Sequence, residues 1–356
     1  MALIPGLPDD MARECLIRVP YAGLSAVAST CKGWKAEIKL PQFRSHRKSA
    51  GHTQTIIVMA QAVLDPPRSS GFAKLCHVPV YRLTAFEPVS GSWSELLLPP
   101  EFSGVLPMFC QLAAAGSNLV VIGGLDPVSW ESSSSVYIYS FITATWRRGA
   151  DLPGVRRSFF GCASDGDFVV FVAGGHDDEK NALRSAVAYH VERDEWAALP
   201  DMAREHDECK GTFQGGKFHV ISGYGTEMQG RFKRSCEAFD TTTWQWGPVW
   251  DDVLMASTCP RTCVDGDADD HLYMCTDGDV LGLRGSMWRV EAKIPSDVYS
   301  PSHVTKWQGK LLVTGSPRAG EPQKAYVLEM STRTWTNVEL PEKFSGHVQV
   351  GCNLEI

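Results

Sequence analysis

Five cysteines, Cys110, Cys162, Cys209, Cys263 and Cys352, fall at one equivalent place in successive segments of the chain, and His303 holds that place in a further one. Thiolates and imidazoles are zinc ligands, but zinc needs four of them within about 2.0–2.3 Å of the ion. No Cys-x-x-Cys pair supplies two ligands locally. A thiol recurring at long intervals therefore reads as a small apolar core position, which buried free cysteine suits. A metal or redox centre is the alternative, open to the chain only if the segments turn these side chains toward one axis. The acidic run DGDADDH at 265–271 begins like a calcium loop, yet Thr276 stands where the twelfth-position glutamate would be. Neither a Gly-x-Ser-x-Gly elbow nor a His-Glu-x-x-His helix occurs. No catalytic residue, metal ligand or cofactor is assigned.

Arginines also recur. Leu152-Pro-Gly-Val-Arg-Arg157, Leu199-Pro-Asp-Met-Ala-Arg204 and Cys259-Pro-Arg261 each follow a tryptophan segment and place Arg157, Arg204 and Arg261 at similar points. A guanidinium fork grips a carboxylate or phosphate through two parallel hydrogen bonds, so these three are the candidate substrate-binding residues. The other reading is that they pair with acids of neighbouring loops. Longer connections at 125–135, 176–184 and 224–235 are further candidate binding loops, since a rigid scaffold displays its recognition residues on connections.

The elements that position these residues repeat. Val120-Val-Ile-Gly-Gly124 leads to Tyr139 and Trp146, Val170-Phe-Val-Ala-Gly-Gly175 to Tyr189 and Trp196, and His219-Val-Ile-Ser-Gly-Tyr224 to Phe239 and Trp246. An aromatic or leucine stands seven residues before Trp93, Trp146, Trp196, Trp246, Trp288 and Trp335, and these six lie 53, 50, 50, 42 and 47 residues apart. Each unit reads as four short strands. In the third, Ser164-Asp-Gly-Asp167 is a hairpin turn between the first two. A phosphate-binding glycine turn occurs once and opens a helix. Here the glycines recur with the unit and lead to another strand, so they mark a strand end where only a residue without Cβ fits.

These units resemble kelch repeats, whose period is near ~50 residues, over roughly 52–356. The resemblance implies an all-β six-bladed kelch β-propeller over 48–356, with the tryptophans packed between blades. The first blade lacks an inner strand, and the C-terminal run His347–Ile356 (HVQVGCNLEI) looks like one with no blade after it. The expectation is that this C-terminal strand closes blade one, because ring closure removes exposed sheet edges.

Residues 1–47 differ. Pro8 and Asp9 start a helical stretch that Pro20 stops, with Met11, Cys15, Leu16 and Val19 on one face. Leu24, Val27, Ala28, Cys31 and Trp34 form a second stripe, and Leu40 and Phe43 a short third piece. The basic stretch Arg44-Ser-His-Arg-Lys48 reads as a solvated linker. Leu7-Pro8, Cys15-Leu16…Val19-Pro20 and Ala28-Ser-Thr-Cys-Lys-Gly-Trp34 resemble an F-box, a small all-α domain. An F-box ahead of kelch repeats is a plant F-box/kelch class. By that resemblance the chain is a non-catalytic substrate receptor. Leu7, Pro8, Leu16, Val19, Leu24, Val27 and Trp34 would bind a Skp-type adaptor, and through it a cullin and a RING protein, while the propeller holds a protein substrate for ubiquitination. Compact members of the class target phenylalanine ammonia-lyase or cytokinin response regulators. A kelch scaffold without a ligase role, or a metal-dependent propeller enzyme, are the alternatives.

The bulk numbers agree. A net charge of −7 and pI of about 5.8 leave no footprint for nucleic acid. No segment reaches the ~18 apolar residues that span a bilayer. Acids arrive by Asp9, so no secretory signal is expected, and the eleven cysteines read as reduced thiols. The expected location is the cytoplasm, the nucleus or both.

Overall fold

The computed structural model describes residues 3–64, 79–102, 104–266, 271–318 and 320–356. Of the acidic run at 265–271, positions 267–270 lie outside the described residues. Six four-stranded antiparallel sheets follow four helices.

The helices are α1 (Asp9–Ile17), α2 (Tyr21–Thr30), α3 (Lys32–Ile38) and α4 (Pro41–Ser49). Proline sets their starts. Pro8 and Pro20 hold extended backbone just before α1 and α2, and Pro41 occupies the first turn of α4. The stripe from Leu24 to Trp34 is two helices rather than one. Cys31 takes an extended conformation between them, and its Sγ accepts the Trp34 amide at 3.4 Å, which caps α3. The stretch at 44–48 is no linker: it lies within α4, which runs two residues beyond the boundary expected at 47.

In each blade the innermost strand comes first in the sheet. These strands are Val348–Glu355 in blade one, Gln111–Ala115 in two, Gly161–Ser164 in three, Lys210–Gln214 in four, Cys263–Asp265 in five and Ser300–Trp307 in six. The C-terminal strand pairs with Thr55–Ala62 of blade one in a register running from Thr55↔Glu355 to Gln61↔Val348.

The recurring tryptophans have a common task. Each stands on an outer strand opposite an aromatic or leucine, as in Phe86↔Trp93 and Tyr189↔Trp196, though in blade five that residue is Leu283 and not the Leu281 expected from the spacing of seven, which faces Val290. Each indole N–H donates to a backbone carbonyl at the end of the preceding blade: Trp146 to Leu97, Trp196 to Ala150, Trp246 to Pro200, Trp288 to Val253 and Trp335 to Lys293, all within 2.7–2.9 Å. Trp93 closes the cycle on Glu339 of blade six at 3.1 Å. A half-buried indole needs a partner for its N–H, and here that need also fixes blade-to-blade spacing.

The glycine pair has an equally local cause. A Cβ on Gly124 would lie 2.7 Å from the Met108 carbonyl oxygen, and one on Gly175 would strike that of Ser158. Strand ends thus press against the connection from the preceding blade. In blade four the pair is Ser222-Gly223, and Ser222 itself adopts φ 60°.

The helical module is not a free appendage. Leu16, Ile17, Leu24, Ile38 and Phe43 share one buried cluster with Ile56, Leu83, Leu119, Phe141 and Leu354 of the ring. No described helix is long and apolar enough to cross a membrane.

Candidate functional site

The antiparallel order gives the ring two ends. Connections between blades, and those between second and third strands, emerge at one end, the loop face. The tight hairpins emerge at the other, the hairpin face. The helical module sits on the hairpin face. Arg44 pairs with Asp167 at 2.7 Å, Lys48 with Glu355 at 2.7 Å, Gln54 Nε2 donates to Glu87 at 2.7 Å, and Tyr21 meets Phe141 edge-on at 6.4 Å. The three candidate arginines belong to connections of the loop face. The two candidate binding surfaces are therefore at opposite ends of one rigid ring.

Of those arginines, Arg157 is withdrawn as a binding residue. It is only 2% exposed, and its two terminal nitrogens donate to the Gly174 and Ser185 carbonyls and the Ser185 hydroxyl at 2.8–3.2 Å. Burial lowers its pKa to about 10, so it stays charged and serves the glycine turn of its own blade. Arg204 lies on the surface but forks onto Asp251 at 2.6 and 3.3 Å, the pairing with a neighbouring loop weighed above. Arg261 is exposed at the channel mouth and has no hydrogen bond or ion pair among the described residues.

Of the candidate adaptor residues, Leu16 and Leu24 are corrected: at 2% and 0% exposure they hold the module and the ring together. Val19, Val27 and Trp34 are half-buried against the same cluster. Leu7, 38% exposed, and Pro8 lie on the surface. Exposed Met11 and Leu40 were not singled out as binding residues. Their signal was that each stands at the outer edge of an apolar stripe.

The cysteines do not occupy one equivalent place. Strand register puts Cys110 and Cys209 just before the inner strands, Cys162 and Cys263 two positions further on, Cys352 one beyond those, and His303 between the first two levels. The thiols are thus spread down the channel, and since side chains alternate along a strand they do not converge. Among the described residues no three His, Cys, Asp or Glu side chains gather as metal ligands. Burial pushes Cys110, Cys162, Cys209 and Cys263 up to about 12, which leaves them protonated and unreactive at neutral pH.

A Ser-His-Asp chain escaped the sequence reading, because its members come from three separate connections. Ser158 Oγ lies 3.0 Å from His176 Nε2, and His176 Nδ1 lies 2.9 Å from the Asp207 carboxylate. It has the connectivity of a hydrolase triad without the access. Ser158 is fully buried, and Lys180 Nζ also approaches His176 Nε2 at 2.9 Å. One blade on, His206 Nε2 meets Glu237 at 3.0 Å, both fully buried. Burial works against the Glu237 charge, but hydrogen bonds from His206 and the amides of Ala203 and Arg204 outweigh it and hold its pKa below the usual range. These links lock the connections of adjoining blades.

His303 is the acid-sensitive group of the channel. It is buried, its Nε2 lies 2.6 Å from Thr305 Oγ1, and burial, aided by the Lys210 charge, lowers its pKa to about 3. The unfolded chain protonates this imidazole near pH 6.5, so stability falls as pH drops from about 6.5 toward 3. From this group alone the loss between pH 7 and pH 4.5 is about 3 kcal/mol. In His303→Gln, which installs the residue type found at the same register in blade two (Gln111), urea midpoints should differ less between those pH values. An unchanged difference would clear His303 of the effect.

The Kelch motif family matches residues 109–153 and 156–203. Two F-box/kelch-repeat proteins of Arabidopsis thaliana are 46% identical over 363 residues and 47% identical over 361 residues, each match covering 100% of both chains. The F-box/kelch-repeat protein SKIP20 of the same plant is 34% identical, over 69% of this chain and 66% of its own. The solved structure of YjhT superposes with a TM-score of 0.58 at 12% identity, covering 72% of this chain and 91% of that one, a likeness of fold alone.

Proposed function

The chain belongs to the F-box/kelch-repeat family, and from that premise we propose that it is the substrate-recognition subunit of a Skp–cullin–F-box ubiquitin ligase. The observation that carries this reading is the division of labour between the two ends of the ring. A helical module with exposed apolar residues is fixed to the hairpin face, and the connections with surface arginine are displayed on the loop face. The protein makes and breaks no bond itself. It holds one partner at each end, and the rate gain in ubiquitin transfer comes from proximity and orientation. A Skp-type adaptor binds across Leu7, Pro8 and Met11, an apolar groove receiving a helix edge. The substrate is a protein held on the loop face, with Arg204 and Arg261 as its polar contacts. Phenylalanine ammonia-lyase is the first substrate to test and a cytokinin response regulator the second, a choice that rests on the plant F-box/kelch resemblance. The working place is the cytoplasm or nucleus.

The test is adaptor capture by surface variants. Removing residues 1–47 would strip the apolar cover from blades one and two, so a truncation would confuse binding with folding. Leu7→Asp combined with Met11→Asp should lower adaptor capture at least tenfold at an unchanged melting temperature, because both side chains are exposed, at 38% and 52%. Full capture by the double variant would remove the adaptor from this surface. With the intact chain, proteins that survive a stringent wash from plant extract under proteasome block form the substrate set.

A further inference from the structure

We propose that the loop-face mouth of the central channel is a carboxylate-binding site, built from Lys210 and Arg261 against the rings of Phe109 and Phe159. These residues line a cavity of about 220 Å³.

Two basic side chains stand here without a directly paired acid. Neither Lys210 nor Arg261 makes an ion pair or side-chain hydrogen bond among the described residues. Elsewhere on the ring such groups are satisfied: Arg204 by Asp251, Lys306 by Asp265, and Arg157 by carbonyls. The blade itself does not require a cation at this point. The register position of Lys210 holds Gln111 in blade two and Gly161 in blade three. Burial lowers the Lys210 pKa, with the Asp265 charge among the groups opposing the shift, and an anion bound beside it would favour the ammonium form.

The walls are held in place at a conformational cost. Phe109, Phe159 and Glu208 each stand two residues before the inner strand of three successive blades, with φ of 57°, 57° and 49°. Left-handed backbone in bulky residues is strained and persists where surrounding structure enforces it. Here it places two phenyl rings 4.5 Å apart at the rim.

The charge count sets the ligand class. With a bound anion favouring the Lys210 ammonium, Lys210 and Arg261 contribute two positive charges and Glu208 one negative. Glu208 Oε1 is already engaged by the Tyr224 hydroxyl at 2.8 Å. His303, with its pKa near 3, is neutral. A net charge of +1 matches a monoanion, and a phosphate dianion would face Glu208 with no third cation. Arginine offers a carboxylate two parallel donors, and the phenyl walls suit an aromatic or aliphatic body behind it. Two sources carry that chemistry: an acidic residue or C-terminus of a bound polypeptide, and a free organic acid. The first rests on the receptor reading; the second does not.

The experiment titrates the full chain with sodium benzoate and, separately, with benzamide, read by calorimetry and thermal shift. Benzoate should bind and raise the melting temperature, and benzamide, neutral and of the same shape, should bind at least tenfold more weakly. Lys210→Met and Arg261→Gln should each weaken benzoate tenfold or more, at unchanged circular dichroism. Since Arg261 is exposed, its variant keeps the test valid if Lys210→Met fails to fold. Polypeptides retained from extract are then challenged with saturating benzoate. Release assigns the site to a polypeptide carboxylate; binding of benzoate without release assigns it to a free acid. Equal binding of benzoate and benzamide, no binding of benzoate, or full binding by Arg261→Gln overturns the proposal. Adaptor capture on the same samples reports separately on the receptor reading.

Discussion

Deleting residues 345–356 should abolish the folded ring and yield aggregate in place of monomer. The segment is the inner strand of blade one, and it closes the circle on a strand 300 residues away at Thr55↔Glu355. Its loss uncovers Ile56, Ile57, Val58, Met59 and Ala60, all fully buried, along an unpaired strand edge. An exposed apolar edge of that kind is a template for pairing with another chain. The deleted piece also removes buried Val348, Val350, Leu354 and Ile356. At about 1.5–3 kcal/mol per fully buried aliphatic side chain, these four contribute on the order of 6–12 kcal/mol, comparable with the 5–15 kcal/mol by which whole domains are stable. Polar ties go as well. Gln61 Nε2 loses the Gly346 carbonyl, 3.1 Å away, and Gln54 and Ile356 no longer exchange backbone hydrogen bonds at 2.9 and 3.0 Å. Size-exclusion chromatography and circular dichroism read the outcome. Adding a peptide of residues 345–356 during refolding should restore part of the monomer, as expected if pairing with blade one is what was lost. A truncated chain that elutes as a monomer with an unchanged melting temperature would show that the ring closes without this strand.

What could be read from the sequence was what repeats. The tryptophan period was legible because each indole performs the same act, a hydrogen bond to the preceding blade, and so tolerates no drift in position. The glycine pair was legible because the Met108 and Ser158 carbonyls exclude any Cβ at its second position. Solitary features were hidden. Arg157 shares its spacing with Arg204, and spacing along a connection does not tell which guanidinium turns inward onto carbonyls and which outward to Asp251. The cysteines looked equivalent because their intervals are close to the repeat. A shift of one or two residues within a strand, invisible at a period of fifty, changes both the level in the channel and the facing of the side chain. The unpaired state of Lys210 and Arg261 is a statement about neighbours from other blades, which only the closed ring supplies.

Arg47→Met should weaken the junction between the helical module and the ring more than any other single change in α4. Basic side chains in such a stretch are ordinarily solvated, yet Arg47 is 1% exposed and among the largest fully buried side chains of the protein. Its guanidinium donates to main-chain oxygens of four residues and to no acidic side chain: Ile17 at 2.7 Å, Val19 at 2.6 Å, His52 at 2.9 Å and Ile356 at 3.2 Å. Two of these end α1, one follows α4, and the last is the C-terminal residue of the closing strand. A single planar fork thus ties the first helix, the fourth and the ring closure. Burial lowers the arginine pKa, but from so high a starting value that the charge is retained. Methionine keeps much of the packing volume and supplies no donor, so the four main-chain oxygens lose their partner in a place water cannot easily reach. Removing the donor from such a buried charged arrangement costs about 3–5 kcal/mol. Lysine, a point charge without the fork, should recover only a minor part. Hydrogen exchange is the discriminating readout: amides of α1, α4 and the C-terminal strand should lose protection together, while blades three to five keep theirs until global unfolding. If instead protection falls only within α4, the arginine merely stabilises its own helix. If nothing changes, the four oxygens are satisfied without it. Adaptor capture should survive in the variant, because Leu7 and Met11 are not involved. Ubiquitin transfer to a substrate on the opposite face should fall, because the adaptor is then no longer held at a fixed distance and angle from the loop face.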